Sequence, residues 1–259
     1  MGAKIGEKSD IQKIIPIFAA LINFIIRYYI AMKKSDFIFI VIVIALFAPF
    51  VLSDSVYEWY KTFNASHGMV MSFLKFAVLS TLGELLGLRL STGSYLKPKF
   101  GIFPRAVVWG IFGMGINLAM IIFSTGVPVA LEYIGMQDAT GLMSASLRPA
   151  KVLVALCISI GMNGIFAPVF MTFHKITDTH ILACGGSARA LLTPIPMTRI
   201  ITGLNWDVQW NFVFKKTIPL FWVPAHTVTF LLPSEARVLF AALLGVALGV
   251  LLAIAARKK

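Results

Sequence analysis

The sequence predicts an all-α integral membrane protein, a polytopic bundle of about six transmembrane helices with an amphipathic helix at its N-terminus. Hydrophobic residues make up 58% of the 259 residues and charged residues only 13%, with a mean hydropathy of +0.86. Soluble domains are about 45–50% apolar and about a quarter charged. Several apolar segments are also long enough to cross a hydrocarbon core of about 30 Å, which takes about 20 helical residues. Lipid is therefore the predicted environment.

Five uncharged segments are each predicted to span the membrane: residues 37–53, 106–131, 152–173, 217–234 and 238–256. A sixth segment, 69–90, contains Glu84 and is predicted to span because its neighbours then alternate sides of the membrane. Residues 37–259 form the predicted bundle, and residues 1–36 form a membrane-associated segment whose helix at 14–32 lies on the cytoplasmic face. This arrangement places most Lys and Arg residues on one side, with both termini cytoplasmic. The alternative is that residues 14–32 also span the membrane, which makes the difference in Lys and Arg content between the two sides smaller.

Two connecting segments have a distinct composition. Residues 54–67 are rich in aromatic side chains, which favours a position at the membrane interface. Residues 174–204 are predicted to form a long irregular loop, because glycine and proline recur in it. His174, Asp178 and His180 lie close together there but lack a fourth ligand, so no metal site is expected.

Polar residues inside the spans are the candidate functional residues. At about 100° per residue, Glu84 shares one helix face with Ser80, Gly83, Gly87 and Ser91, and small residues favour close helix packing. Glu84 is therefore expected to face the bundle interior. The predicted solute path is lined by four residues from different spans: Glu84, Asn117, Asn163 and His226.

Each of these residues has an expected role and an alternative. Glu84 would set the charge preference, the two asparagines would offer hydrogen bonds, and His226 would respond to pH. A buried ion pair, or a protonated acid bonded to a neighbour, is the structural alternative for Glu84. The last helix has small residues at four-residue spacing, which predicts a packing seam without polar chemistry: Ala241, Gly245, Gly249 and Ala253.

Three short stretches carry a resemblance: "STLGELLGLRL", "NGIFAPVFMTFHKI" and "FWVPAHTVTFLLPSEAR". Residues 74–255 resemble the peroxisomal 22-kilodalton membrane protein family, the Mpv/PMP group, whose members are small multi-pass proteins that resemble pores for small solutes. The residues that match the family pattern are Gly83, Glu84, Gly164, Phe166, Ala167, Pro168, Trp222, Phe230, Pro233 and Arg237. The sequence departs from the pattern where Val223 separates Trp222 from Pro224.

The sequence thus predicts a channel or pore-like passage for small solutes or ions, without catalytic residues or a cofactor. Membrane lipids and a small solute or ion are the expected partners, and a homo-oligomer is possible. The net charge of +12 is attributed to basic residues beside spans and not to nucleic-acid binding. An intramembrane lipid-modifying enzyme and a structural membrane-organising protein are the alternatives. The expected location is a plasma or inner membrane in a prokaryote and an organelle membrane in a eukaryote.

Overall fold

The structure is a computed structural model that describes the backbone of residues 32–256 and the side chains of 32–247 and 249. The described residues form helices and loops and contain no β-strand, which confirms the all-α class. The helix predicted at 14–32 lies outside the described residues, apart from Met32. The chain divides into two compact units, one ending at Tyr60 and the other beginning at Lys61, and each is described by itself.

The first unit contains α1 (Lys34–Leu52) and most of α2 (Asp54–Ser66). The carboxylate of Asp36 caps α1 by accepting the backbone N–H of Lys33 at 2.7 Å. Apolar side chains along α1, among them Phe37, Val41 and Ile44, are exposed. An exposed apolar helix of this length suits contact with lipid.

The second unit contains the remaining helices. They are α3 (Gly68–Thr92), α4 (Ile102–Tyr133), the short α5 (Ala139–Ser144), α6 (Pro149–Ala183), a 3-10 turn (Ala188–Leu191) and the short helices α7 (Met197–Gly203) and α8 (Trp206–Val208). A π-helix (Gln209–Trp222) follows directly and continues into α9 (Val223–Leu231), and α10 (Ser234–Ala256) ends the described chain.

Four of these helices, α1, α3, α4 and α6, are long and apolar enough to cross a membrane. The segment predicted at 217–234 is not one regular helix, because it begins inside the π-helix and its helical part ends at Leu231. Pro219 lies inside the π-helix, and proline lacks the N–H that an α-helical ladder needs.

Five helical segments of the second unit pack in a ring, with the π-helix and α9 counted as one continuous segment. α3 packs between α4 and α10, α4 also packs on α6, and α6 packs on the π-helix and α9. α9 packs on α10, which closes the ring. The ring surrounds a cavity, described below, whose wall includes Glu84 of α3, Asn163 of α6 and His226 of α9.

Glycines allow the closest helix contacts in this ring. A Cβ atom on Gly113 of α4 would lie 2.6 Å from the backbone oxygen of Ser72 on α3. On the other side of α3, a Cβ on Gly249 would lie 3.4 Å from the backbone oxygen of Gly83. The α10 seam predicted from small residues is therefore confirmed at Gly249, and the side chain of Ala253 lies outside the described ones.

The loop predicted at 174–204 is shorter than expected, because α6 continues to Ala183. His174 and Asp178 are one helical turn apart, and both find partners on neighbouring helices, so their polarity does not end the helix. Beyond the helix, Gly186 has a φ of +71°, and a Cβ there would lie 2.6 Å from the carbonyl of Lys99. This close contact joins the α6–α7 loop to the α3–α4 loop.

Candidate functional site

A cavity of about 300 Å³ lies inside the ring of helices. Its volume is at the lower end of the range for small-molecule pockets, roughly 300–1,000 Å³. Most of its wall is apolar, with aromatic side chains from α3, α4, α6 and the π-helix and small residues from α10. The polar side chains in the wall are few: Ser80, Glu84, Asn163, His174 and His226.

Arg105 connects three helices at one end of this cavity. From the first turn of α4, its Nη1 donates to Glu84 Oε2 of α3 at 2.8 Å and also to Asp178 Oδ1 of α6. Its Nε donates to the backbone oxygen of Phe100 at 2.7 Å. The Arg105 side chain is only 6% exposed, so the guanidinium is a buried cation held by two carboxylates. We call Glu84, Arg105, His174 and Asp178 the charged cluster.

The second carboxylate oxygen of Glu84 is also engaged. The indole N–H of Trp109 donates to Glu84 Oε1 at 2.9 Å, and His174 Nε2 lies 3.3 Å from the same oxygen. An ionised carboxylate only accepts hydrogen bonds, so Nε2 of His174 is the donor when Glu84 is charged. The Trp109 and His174 rings are also in contact, with centroids 4.6 Å apart.

The charged cluster contains the ligand atoms of a possible metal site. One donor atom each from Glu84, His174 and Asp178 lie within 4.8 Å of one another. In the structure, Arg105 donates to both carboxylates and supplies the positive charge there. The guanidinium and a metal ion would compete for the same oxygens, so this set does not by itself indicate a metal.

A second polar group lies on the wall between α6 and α9. The Asn163 amide nitrogen lies 3.0 Å from His226 Nδ1 and donates to the backbone oxygen of Ser159 at 2.9 Å. The hydroxyl of Ser159 donates to the backbone oxygen of Val223 at 2.7 Å. Ser159 and Asn163 are almost completely buried. The group therefore joins α6 to α9 through satisfied hydrogen bonds.

Two buried donors in the cavity wall are without a partner among the residues that the structure describes. They are the hydroxyl of Ser80 and the indole N–H of Trp222. Ser80 is 3% exposed and Trp222 is 9% exposed. An unsatisfied buried polar group is destabilising by about 1–3 kcal/mol, so such groups are uncommon away from binding sites.

The structure brings together three of the four residues predicted to line a solute path. Glu84, Asn163 and His226 contribute to the cavity wall. Asn117 instead contacts the start of α3, where its amide lies 3.5 Å from the backbone oxygen of Gly68. Glu84 forms an ion pair with Arg105, as the structural alternative for this residue predicts.

The residues of the family resemblance have different positions. Gly83 and Trp222 contribute to the cavity wall, whereas Gly164 is exposed and Pro168 lies inside α6. Glu84, Phe166 and Ala167 also contribute to the cavity wall. Three others lie at the corner between α9 and α10: Phe230, Pro233 and Arg237. There Arg237 donates to the backbone oxygens of Leu232 and Phe230, at 3.1 Å and 3.2 Å. These three residues therefore support the corner and not the cavity.

Sequence reasoning missed Arg105 and Trp109, and it considered His174 and Asp178 only as metal ligands. The uncharged segment predicts a span that begins at residue 106 and leaves Arg105 in a loop, whereas α4 begins at Ile102. A signal was present, since Arg105 and Trp109 are four residues apart, as are His174 and Asp178. Four-residue spacing places each pair on one helix face.

Comparison with known proteins does not assign the chain to a family. No protein-family model matches the chain, and no curated protein or solved structure matches it significantly. The resemblance to the Mpv/PMP group therefore stays a prediction from short sequence motifs.

Proposed function

We propose that this chain is a multi-pass membrane protein that provides a passage for small solutes, with the ring cavity as its solute chamber. The observation that carries the proposal is the cavity itself, which is lined by five helical segments and partly by the polar residues Glu84, Asn163 and His226. The proposed spans are α1, α3, α4, α6, the π-helix with α9, and α10. The segment 14–32 lies on the cytoplasmic face, and both termini are cytoplasmic.

This topology places the charged cluster toward the cytoplasm. α3 then ends on the cytoplasmic side, α4 begins there and α6 ends there. α4 and α6 have 32 and 35 residues, so at 1.5 Å per residue they are about 48 and 52 Å long. Both are long enough to extend beyond a hydrocarbon core of about 30 Å. The bridge made by Arg105 would then lie near the cytoplasmic mouth of the cavity, and passage would require it to rearrange.

The wall of the cavity favours small molecules over rapidly conducted inorganic ions. An ion pore needs a succession of carbonyl or charged groups that replace the hydration shell. Here the wall is mostly aromatic and aliphatic, with single polar groups at separate points. This pattern is typical of small-molecule pockets, in which a few polar groups fix the orientation of a mostly apolar ligand.

The test is solute flux into liposomes that contain the purified full-length chain. A panel of organic amines, neutral polyols, carboxylates and K⁺ is compared with protein-free liposomes, and we expect flux of at least one organic class. Glu84→Gln should change the charge preference, whereas Glu235→Gln, the same change at an exposed acid, should not. Absence of flux for every solute, with the protein folded, would reject the passage and favour the structural role.

One observation favours a second candidate function. Glu84 and His174 form a hydrogen-bonded acid and imidazole pair in the cavity wall, which is the arrangement of a general base and its partner. An intramembrane lipid-modifying enzyme could use this pair on a headgroup at the cytoplasmic face. Turnover of phospholipid in protein-containing liposomes, measured by mass spectrometry and lost in His174→Gln, would support the enzyme. Unchanged lipid composition would reject it.

A further inference from the structure

Aromatic rings form part of the cavity wall, and one of them, Trp109, donates a hydrogen bond to Glu84. Trp109 contacts three other wall residues, with ring centroids 4.6 Å from His174, 6.2 Å from Phe170 and 6.5 Å from Phe76. Phe166 stacks on Phe170 at 5.7 Å and extends the aromatic surface along α6. Aromatic faces around a cavity attract cations through the negative potential of the ring faces, and such cages recognise ammonium groups.

The charged cluster has more carboxylates than fixed cations. Glu84 and Asp178 both bond to the single guanidinium of Arg105, so one negative charge is uncompensated when His174 is neutral. Lys175 follows His174 on α6 but is exposed, so water screens its charge. Of the two carboxylates, Glu84 belongs to the cavity wall. The aromatic end of the cavity therefore carries an excess negative charge when His174 is neutral.

The hydroxyl oxygen of Ser80 lies one helical turn from the Glu84 carboxylate. Ser80 and Glu84 are four residues apart on α3, and both belong to the cavity wall. The Ser80 hydroxyl is buried and has no hydrogen-bond partner among the described residues. A hydroxyl accepts as well as donates, so Ser80 offers an acceptor for an N–H group that is also held by Glu84.

We propose that the cavity binds a small organic cation, a protonated amine on a compact apolar body, with the ammonium group near Glu84 and Ser80 and the apolar body among the aromatic rings. This proposal rests on the proposed function, since it names the class of solute that the chamber takes. An ammonium group has three N–H donors, which the carboxylate and the hydroxyl accept. The apolar body of the amine covers the aromatic ring faces that are exposed to the cavity and displaces water from them.

Other classes of ligand fit this wall less well. An organic anion would place its charge beside Glu84, and like charges in a poorly solvated site repel strongly. A pure hydrocarbon would leave the Ser80 hydroxyl unsatisfied. A metal ion would have to displace Arg105 from both carboxylates. The amine combines a positive charge beside Glu84, an N–H donor for the Ser80 oxygen and an apolar body for the aromatic faces.

Binding is measured on the full-length chain in an uncharged maltoside detergent, by ¹⁹F NMR line broadening against protein-free micelles. The probes are 4-fluorobenzylamine, 1-ethyl-4-fluorobenzene and 4-fluorobenzoate, which share a ring and differ in the charge of the substituent. We expect the amine to bind at least about tenfold more tightly than the hydrocarbon, as for a hydrogen bond to a charged group. Equal affinities for the amine and the hydrocarbon, or tighter binding of the benzoate, would overturn the proposal.

Two substitutions test the assigned contacts without removing an ion pair. Ser80→Ala breaks no hydrogen bond within the described protein, so the fold should persist while amine affinity falls about 2- to 12-fold. Ser91→Ala, at an exposed serine of the same helix, is the control. Phe170→Leu should lower amine affinity about 2- to 30-fold through loss of a cation–π contact, with the exposed Phe173→Leu as control. Amine affinities equal to those of the controls would reject these contacts.

The ammonium group could belong to a free amine or to a lipid headgroup, and competition distinguishes the two sources. Displacement of the fluorinated amine by a short-chain phosphatidylethanolamine as effectively as by unlabelled benzylamine would identify a headgroup. Displacement by benzylamine alone would identify a free amine. Both results retain recognition of an ammonium group.

The proposal can fail separately from the proposed function. Amine-selective binding without flux in liposomes would retain the cation site and reject the passage. Flux of neutral solutes without amine-selective binding would retain the passage and reject the cation site.

Discussion

Replacing Arg105 with methionine tests whether the charged cluster holds α3, α4 and α6 together. The substitution keeps a long side chain but removes the donors to Glu84, Asp178 and the backbone oxygen of Phe100. Two carboxylates then remain close to each other without a fixed cation. Their mutual repulsion and poor solvation both oppose the folded ring.

The expected loss of stability follows from the burial of the cluster. Removing one partner of a buried ion pair typically lowers the free energy of unfolding by about 3–5 kcal/mol. The Arg105 side chain is 6% exposed, whereas those of Glu84 and Asp178 are 18% and 23% exposed. Water can therefore relieve part of the uncompensated charge, which favours the lower limit of about 3 kcal/mol. For a chain of this size, each kcal/mol lowers Tm by about 2–4 °C, so we expect a decrease of about 6–12 °C.

The assay is thermal unfolding of the purified chain in detergent, followed by tryptophan fluorescence. Arg148→Met is the matched control, because Arg148 is exposed and precedes α6. The double variant Arg105→Met with Glu84→Gln should recover part of the lost stability, since it removes one uncompensated charge. A Tm for Arg105→Met within about 2 °C of the control would show that water, and not Arg105, compensates the carboxylates, and would refute this reasoning.

Three further predictions concern packing, the buried amide and topology. Gly113→Ala should lower Tm, because its Cβ would lie 2.5 Å from the Cβ of Phe76. Gly115→Ala should leave Tm unchanged or raise it, because no atom lies within 4 Å of the added Cβ. A lower Tm for Gly115→Ala would contradict the packing argument. Asn163→Ala should cost about 2–3 kcal/mol, because it leaves buried hydrogen-bonding groups unpaired. Asn117→Ala should cost less than about 1 kcal/mol, since its contacts are 3.5 and 3.6 Å long, and chemical denaturation in detergent should rank the two. Labels at the two chain termini should report the same side of the membrane, and opposite sides would mean that residues 14–32 also span.

The sequence predicted the helical class and the positions of four long apolar helices. Length and composition suffice for this, because the bilayer requires each spanning segment to satisfy its own backbone hydrogen bonds. Helical periodicity also predicted that Glu84 faces inward, where the structure places it in the cavity wall. The small-residue spacing of α10 predicted its close contact with α3 at Gly249. Each of these features depends on residues within one helix.

The partners across helices were decided by the tertiary structure. Glu84 and Arg105 are 21 residues apart, and Arg105 and Asp178 are 73 residues apart. Asn117 and Asn163 occupy similar polar faces in the sequence, yet Asn163 meets His226 in the cavity wall and Asn117 meets the start of α3. The extension of α6 to Ala183 likewise depends on partners of His174 and Asp178 that lie on other helices.

The sequence by itself therefore determined that the chain is helical and apolar enough for a membrane, and which face of α3 carries the acid. Only the tertiary structure decided that this acid is paired with Arg105, that Trp109 and His174 share its second oxygen, and that aromatic rings line the same cavity. The physical reason is the range of the forces involved. Helix formation and burial in lipid act within a segment, whereas an ion pair or an aromatic cavity wall forms only when packing brings separate segments within a few ångströms.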